Sequence, residues 1–226
     1  MVRVWMSFLI LLVALPACQN KENIIYEEDF NYPDGELPVL WWSEGCEASI
    51  LDGHLFVNAD TQMPKVSTVW LNMELRGNVE ITFDAHIISS QDTANNINAF
   101  FMYSDPNGSL ISSTSERREG TYSSYHSLNG YIFTNVRNGE EKVRFRFRDN
   151  PGFHLLDEKF MKLEGSDTQH IKIVKSEARI QYWANDQKIF DFEEDEFNPI
   201  HRSGYFGFRT WHTSLWWDNF KVVDLN

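Results

Sequence analysis

Three arginines alternate with apolar residues near the middle of the chain, in the segment VRFRFR. Arg144, Arg146 and Arg148 are spaced two apart, and residues with that spacing share one face of a β-strand. The segment therefore predicts a strand with one apolar face towards a core and one guanidinium face towards a groove. Guanidinium groups suit anionic or hydroxyl-rich ligands, because their planar fork can donate two hydrogen bonds to a carboxylate. The alternative is a solvated face with Arg–Glu pairs.

A cluster of tyrosine and histidine side chains precedes this strand and adds groups that can transfer protons. Its members are Tyr122, Tyr125, His126 and Tyr131. We predict that residues 122–127 form a strand. Consecutive residues of a regular strand point to opposite faces, so Tyr125 and His126 share a groove only if a bulge intervenes. In a regular strand His126 shares a face with Tyr122, and a purely structural histidine is the alternative interpretation.

The arginine row and this cluster together match the requirements of β-elimination on a uronic-acid polymer. The reaction needs a neutraliser for the C5 carboxylate, a base for the C5 proton and an acid for the leaving oxygen. We predict His126 as the base and Tyr131 or Tyr125 as the acid. The candidate neutralisers are Arg144, Arg146 and Asn98.

Two other carbohydrate-related functions stay open. A retaining glycosidase needs two carboxylates about 5 Å apart. The strand pattern Glu-x-Asp-x-x-Glu, which supplies them in glucanases, does not occur in the sequence, so a hydrolase would need unconventional acid and base residues. A non-catalytic binding protein would use aromatic rings that stack on sugars. Trp211 is the best stacking candidate, because alternation with Phe206 and Phe208 puts it with Arg209 on the groove face. The remaining predicted substrate-binding residues are Asn98, Tyr122, Arg148 and His154.

The sequence predicts no cofactor and no metal site. His154, Asp157 and Glu158 lie close together in the sequence, but they lack a recognised metal-ligand spacing. A structural calcium ion held by loop carboxylates is the alternative that stays open. The candidate calcium ligands are Asp34, Asp218 and Asn219.

The charge of the chain limits its partners. The sequence carries 20 Lys and Arg residues against 33 Asp and Glu residues, a net charge of −13. This acidity argues against binding to nucleic acid and against electrostatic attachment to anionic lipid. It leaves an acidic ligand open, because a local arginine groove can oppose the overall field. We expect a polysaccharide or oligosaccharide as the partner.

The N-terminus has the layout of a secretory signal peptide. Residues 1–17 contain Arg3 and then an apolar run that is too short to span a membrane. Cys18 follows the small residue Ala17, as in a bacterial lipobox, which predicts lipidation of Cys18; an ordinary secretory signal is the alternative. We therefore expect an exported protein, lipid-anchored in the outer membrane of a Gram-negative bacterium, with residues 18–23 as a tether.

The rest of the chain predicts a single all-β domain over residues 24–226. Short segments rich in aromatic and β-branched residues recur between turn signals, and no helical period is sustained. Asp52-Gly53 lies between two such segments and is a strong hairpin signal. This pattern favours an antiparallel β-sandwich or jelly roll.

Three segments resemble the YesU-like family of bacterial carbohydrate-utilisation proteins: GTYSSYHS, FRFRDNPGFHL and GYFGFRTWHTSLWWDNFKVVD. Residues 95–98 and Tyr131 are similar to a related group of exported Bacteroidetes lipoproteins. The resemblance covers roughly residues 95–224. It implies a concanavalin A-like jelly-roll sandwich of two antiparallel sheets and a role on carbohydrate, often in loci that degrade acidic polysaccharides. It implies no catalytic assignment, because this fold serves lectins, hydrolases and lyases alike.

Overall fold

The computed structural model describes residues 22–91, 96–111, 113–138, 142–163, 168–193 and 201–226. The predicted signal peptide, Cys18 and most of the tether lie outside the described residues. Within the described residues, no helix has the length and apolar character needed to cross a membrane.

The described residues form sixteen strands and two short 3₁₀ helices. The first eight strands are β1 (Asn23–Glu28), β2 (Trp41–Gly45), β3 (Ala48–Leu51), β4 (His54–Asn58), β5 (Val66–Leu71), β6 (Leu75–Arg76), β7 (Val79–Ser90) and β8 (Asn96–Ser104). The others are β9 (Asn129–Asn138), β10 (Lys142–Asn150), β11 (His154–Met161), β12 (Thr168–Ser176), β13 (Arg179–Ala184), β14 (Gln187–Glu193), β15 (Ser203–Trp211) and β16 (Thr213–Asp224). The 3₁₀ helices are Thr114–Arg117 and Tyr122–Tyr125.

The strands pair into two antiparallel sheets. Sheet A has the order β14-β13-β12-β7-β16-β4-β3, with β1 also paired to β16. Sheet B has the order β11-β10-β9-β8-β15-β5-β2, with β6 also paired to β15. The predicted all-β sandwich of two antiparallel sheets is therefore confirmed, and the predicted Asp52-Gly53 hairpin joins β3 to β4.

The main core lies between the two sheets and follows the alternation expected of strands. In β10, Val143, Phe145 and Phe147 are buried in this core, which leaves the alternating arginines on the opposite face of sheet B. In β15, Phe208 packs edge-on against Phe83 of sheet A, with ring centroids 5.0 Å apart. Burial of each such ring contributes roughly 1.5–3 kcal/mol, so the apolar positions determine which face of sheet B is left for a groove.

A second, smaller apolar cluster lies on the outer face of sheet B, beneath residues 105–111 and 113–128, which are together called the segment 105–128. Its buried members are Trp70, Phe100, Tyr103, Leu110, Tyr125, Leu128 and Ile132. The prediction of a strand over residues 122–127 is wrong. The amides of Ser124 and His126 donate to the carbonyls of Thr121 and Ser123, at 3.1 and 3.2 Å. Because these donors are satisfied locally, the segment turns over the cluster and does not join the sheet.

Candidate functional site

A groove of about 900 Å³ crosses the outer face of sheet B. Its floor comes from β8, β9, β10 and β15, and the segment 105–128 forms one wall. Six of the lining residues carry chemistry relevant to an acidic or hydroxyl-rich ligand: Asn98, Tyr122, Thr134, Arg146, Arg209 and Trp211.

Strand register aligns the polar floor into one row across sheet B. Going from β5 to β11, the row runs Thr68, Arg209, Asn98, Thr134, Arg146 and Glu158. The Thr134 hydroxyl donates to Asn98 Oδ1 at 2.6 Å, and Asn98 Nδ2 donates to the Arg209 carbonyl at 3.3 Å. The middle of the floor is therefore a fixed array of neutral hydrogen-bonding groups, with a guanidinium group on each side.

Arg144 belongs to an ion pair outside the groove lining. Its Nε donates to Glu158 Oε1 at 2.8 Å, and its Nη2 lies 2.6 Å from the same oxygen. The alternative interpretation, a solvated face with an Arg–Glu pair, therefore describes Arg144. Since its charge is already neutralised, Arg144 does not have the free guanidinium group that the predicted neutraliser role requires.

Arg146, Arg148 and Arg209 make no ion pair with a carboxylate among the described residues. Arg148 and Arg209 are only 7% and 3% exposed. Arg209 Nη1 donates to two neutral acceptors, the Thr68 hydroxyl at 2.7 Å and the Gly120 carbonyl at 2.9 Å. Arg146 Nε and Arg148 Nη1 are buried without a hydrogen-bond partner within the same part of the chain.

Burial lowers the pKa of each of these three guanidinium groups. The neighbouring charges of Arg148 and then Arg144 lower the pKa of Arg146 further. Arginine stays protonated at physiological pH even so. Positive charge is therefore concentrated at the groove floor, from Arg146 and Arg209, and beside it, from Arg148, in a protein with a net charge of −13.

Arg117 is a buried arginine with a structural role, and unlike the three arginines above it pairs with a carboxylate. Arg117 is 3% exposed, like Arg209, but its Nη2 lies 3.1 Å from Glu44 Oε1. Glu44 Oε2 also accepts hydrogen bonds from Trp70 Nε1 at 3.0 Å and from the Tyr125 hydroxyl at 2.7 Å. This buried pair fixes the segment 105–128 to β2.

Two tyrosines predicted as acids lie away from the groove, so these placements were wrong. Tyr131 is 1% exposed and faces the main core, where it contacts Phe147 and His201 with ring centroids 5.8 and 4.6 Å away. Tyr125 is fully buried in the smaller cluster and donates to Glu44. Burial, followed by the Glu44 charge, raises the pKa of Tyr125 above its ordinary value.

Tyr122 lies at the groove wall, and His126 lies beside it, outside the residues that line the groove. Tyr122 lines the groove, and its ring lies 4.6 Å from the Arg209 guanidinium carbon. His126 contacts Tyr122 edge-on with centroids 5.2 Å apart, and it stacks on Phe153 at 4.1 Å. Burial, then the charges of Arg209 and Arg148, lowers the pKa of His126. Its Nε2 has no hydrogen-bond partner among the described residues, whereas a structural histidine ordinarily has one.

The remaining predicted binding residues divide between the groove and its surroundings. Trp211 lines the groove and is 48% exposed, as a stacking platform requires. Asn98 also lines it. His154 is exposed at the start of β11, next to Gly152, outside the lining.

Sequence reasoning missed Glu44 and Arg117, which hold the groove wall. A lone carboxylate inside the aromatic segment WWSEG was the available signal, because a charge at an alternating buried position calls for a partner. It also missed five polar lining residues: Gln91, Glu119, Thr121, Thr134 and His212.

The described residues contain no group of three or more His, Cys, Asp or Glu side chains placed to hold a metal ion. Near the proposed calcium ligands, Asn219 Nδ2 donates to Asp84 at 2.8 Å, and Asp218 lies 3.8 Å from His54. The groove lining offers guanidinium, amide, hydroxyl, imidazole and indole groups and, at Glu119, a carboxylate.

The fold resembles those of several carbohydrate-related proteins. The structure matches a protein of unknown function with a galectin-like fold from Bacillus subtilis, at a TM-score of 0.73 and 20% identity over 90% of this chain and 97% of that one. It matches the carbohydrate-binding module CBM66 from Bacillus subtilis at 0.57 and 14%, over 82% and 96%. It matches the catalytic domain of an endo-1,3-beta-glucanase (laminarinase) from Thermotoga petrophila RKU-1 at 0.57 and 10%, over 90% and 98%.

These likenesses show the fold, a jelly roll of the galectin and glucanase type, in agreement with the concanavalin A-like architecture expected from the sequence. No curated protein matches the sequence. One family of sequences does: the domain of unknown function DUF6250 matches residues 61–220. Because that match spans well over half of the chain, the protein belongs to the DUF6250 family.

Proposed function

We propose that the groove of sheet B binds an acidic polysaccharide and cleaves it by β-elimination at a uronic-acid residue. The observation that carries this proposal is the set of arginines without a carboxylate partner among the described residues: Arg146, Arg148 and Arg209. A buried cation without a counter-charge is strongly destabilising. A carboxylate of the ligand would supply that counter-charge and accept two hydrogen bonds from one guanidinium group.

Two further features support a glycan as the carrier of this carboxylate. Solved structures with the same fold include a carbohydrate-binding module and glucanases. The exposed Trp211 ring lies on the same face as Arg209, and the Asn98 and Thr134 side chains between the arginines suit sugar hydroxyls. A groove with a charged floor and an aromatic platform fits a chain of sugars better than it fits a small inorganic anion.

The elimination itself is assigned to groups at the wall and the floor. Arg146 and Arg148 neutralise the C5 carboxylate, which makes the C5 proton more acidic. His126 is the base, since burial and the nearby arginines keep its imidazole neutral at physiological pH. Binding without cleavage is the second candidate function, and the exposed Trp211 favours it equally.

The sequence adds a proposal about where this chemistry takes place. The predicted signal peptide and the resemblance of residues 95–98 and Tyr131 to exported Bacteroidetes lipoproteins support an exported protein, anchored by lipid on Cys18. Mass analysis of the mature N-terminus tests this: a diacylated Cys18 is expected, and an unmodified N-terminus at another residue would contradict it.

The test of function compares acidic polymers with the same polymers after reduction of their carboxyl groups to alcohols. Polygalacturonate and alginate are incubated with the full chain, and we follow binding by affinity electrophoresis and cleavage by the ultraviolet absorbance of the C4–C5 double bond. We expect carboxyl reduction to abolish binding. Equal binding of the reduced polymer would refute the anionic site, and binding or new reducing ends without absorbance would refute elimination.

A matched pair of variants locates the site. Arg146→Gln removes one charge from the groove floor, and we expect binding to weaken roughly 10- to 100-fold, because a charged hydrogen bond contributes about 1.5–3 kcal/mol. Arg179→Gln removes the same charge from the exposed face of sheet A, where Arg179 pairs with Asp191 at 2.6 Å. Equal loss in both variants would point to a non-specific charge effect.

A further inference from the structure

We infer that Tyr122 is the catalytic acid that protonates the leaving oxygen. This inference rests on the proposed function. Of the three tyrosines in the cluster, Tyr122 is the one that lines the groove. Tyr125 and Tyr131 are buried, the former in the smaller cluster and the latter in the main core.

The Tyr122 ring is held in place by contacts that do not involve its hydroxyl. It lies parallel to Phe100 with centroids 6.3 Å apart, and it meets Phe153 edge-on at 5.0 Å. The Arg209 guanidinium lies over the ring at 4.6 Å. These contacts keep the ring in a fixed position at the groove wall, with its hydroxyl beside the Thr134 side chain.

The surroundings of the hydroxyl suit a group that gives up a proton during the reaction. The charges of Arg209, Arg148 and Arg146 all favour the phenolate form of Tyr122, as does its interaction with the Thr134 side chain. These charges would offset the negative charge that develops on the phenol oxygen as the proton leaves. Such fixed charges stabilise a transition state without reorganisation.

Tyr122 and His126 also differ in protonation in the direction that the reaction needs. Burial raises the pKa of Tyr122, so the phenol carries its proton at neutral pH. Burial lowers the pKa of the adjacent His126, so the imidazole does not. Two neighbouring groups whose surroundings shift their pKa values in opposite directions are suited to act as the acid and the base of one reaction.

The proposed step conserves atoms and charge. His126 takes the C5 proton, the electron pair left behind forms the C4–C5 double bond, and the bond between C4 and the glycosidic oxygen breaks. Tyr122 gives its phenolic proton to that oxygen. A proton then passes through solvent from the imidazolium to the phenolate, which restores both groups. The step consumes no oxidant, reductant or water.

The variant that tests this inference is Tyr122→Phe, which keeps the ring and all the ring contacts. Tyr205→Phe is the matched control, because Tyr205 is a partly buried tyrosine packed against the same outer cluster. We expect Tyr122→Phe to lower the elimination rate on the acidic polymer by a factor of about 10²–10⁴, the usual contribution of a positioned acid. Polymer binding and the unfolding midpoint should stay at the wild-type values.

A second substrate separates an acid from a residue that only shapes the groove. In a uronate with a nitrophenyl group on O4, the departing nitrophenolate needs no proton. We expect Tyr122→Phe to cleave this compound at close to the wild-type rate, whereas His126→Ala should lose activity on both substrates. If Tyr122→Phe cleaves the polymer at the wild-type rate, or loses the same fraction of its rate on both substrates, the role of Tyr122 as the acid is overturned while the proposed function stands. A wild-type protein that produces no absorbance on either substrate would overturn the proposed function.

Discussion

The buried ion pair between Glu44 and Arg117 gives a quantitative prediction about what holds the groove wall. The Glu44 side chain is fully buried and the Arg117 side chain is 3% exposed, with 3.1 Å between Oε1 and Nη2. In Glu44→Gln the shape is kept and an amide oxygen can still accept from Tyr125 or Trp70. What is lost is the negative charge, so Arg117 becomes a buried cation whose remaining partners, the Ser113 hydroxyl and the Leu110 carbonyl, are neutral.

The magnitude follows from the burial of the partner left behind. Removing one member of a buried ion pair costs about 3–5 kcal/mol, because the other charge stays desolvated. For a domain of this size each kcal/mol lowers the unfolding midpoint by about 2–4 °C, so Glu44→Gln should unfold roughly 6–20 °C below the wild type. The double variant Glu44→Gln, Arg117→Met has no unpaired cation and should recover most of this loss.

Urea unfolding followed by tryptophan fluorescence measures the free energy, and far-ultraviolet circular dichroism gives the midpoint. The reasoning fails if Glu44→Gln loses less than about 1 kcal/mol, which would place the pair among exposed ion pairs. It also fails if the double variant is no more stable than the single one. In that case hydrogen bonds from Tyr125 and Trp70, and not the charge of Arg117, would hold the segment 105–128.

Two further predictions concern the imidazole and the floor. The pKa of His126 is lowered from its ordinary value of 6.5, so the unfolded chain binds a proton at this residue more readily than the folded chain does. The contribution of the neutral His126 to the free energy of unfolding is therefore full above pH 6.5 and falls as the pH drops through the folded pKa. We expect wild-type unfolding free energy to fall more than that of His126→Gln between about pH 7 and pH 5, and equal slopes would contradict this. Gly207→Ala should cost about 1–3 kcal/mol in urea unfolding, because its Cβ would lie 2.5 Å from the Trp70 ring. Gly108→Ala, with open space around it, should stay within about 0.5 kcal/mol, and a similar loss in both would contradict the packing argument.

For the strands that carry the groove arginines, the sequence predicts which side chains face the core and which face outwards, because the two faces of each strand differ in chemistry. Between residues 143 and 148 of β10 one face is apolar and the other is arginine, so a period of two permits only one orientation of the strand. The same holds for β15, where Phe206 and Phe208 are buried in the core and Arg209 and Trp211 line the groove. Alternation therefore predicts which face of each strand turns towards the groove, although Arg144 and Arg148 on that face do not line it.

Alternation could not place Tyr131, because both faces of β9 carry apolar residues. Tyr131 and Phe133 alternate with Ile132, and Ile132 is buried as deeply as they are, but in the outer cluster. The outer face of β9 is buried as well only because the segment 105–128 packs over it. That cover depends on a turn at Gly120, where φ is +62° and Gly45 Cα lies 3.1 Å from an added Cβ. A contact between residues so distant in the sequence leaves no local pattern.

The contrast between Arg117 and the floor arginines is the strongest reason to treat the groove as a site. Arg117, Arg148 and Arg209 are at least nine-tenths buried, whereas Arg146 is half-buried. Desolvation therefore makes a charge without a negative partner unfavourable at each of the three buried arginines. The chain has 33 Asp and Glu residues, and it places one of them, Glu44, against Arg117. Among the described residues it places none in an ion pair with Arg148 or Arg209. Carboxylates are not scarce in this sequence, so the absence of an ion pair at Arg148 and Arg209 is better explained by a counter-charge that arrives with the ligand.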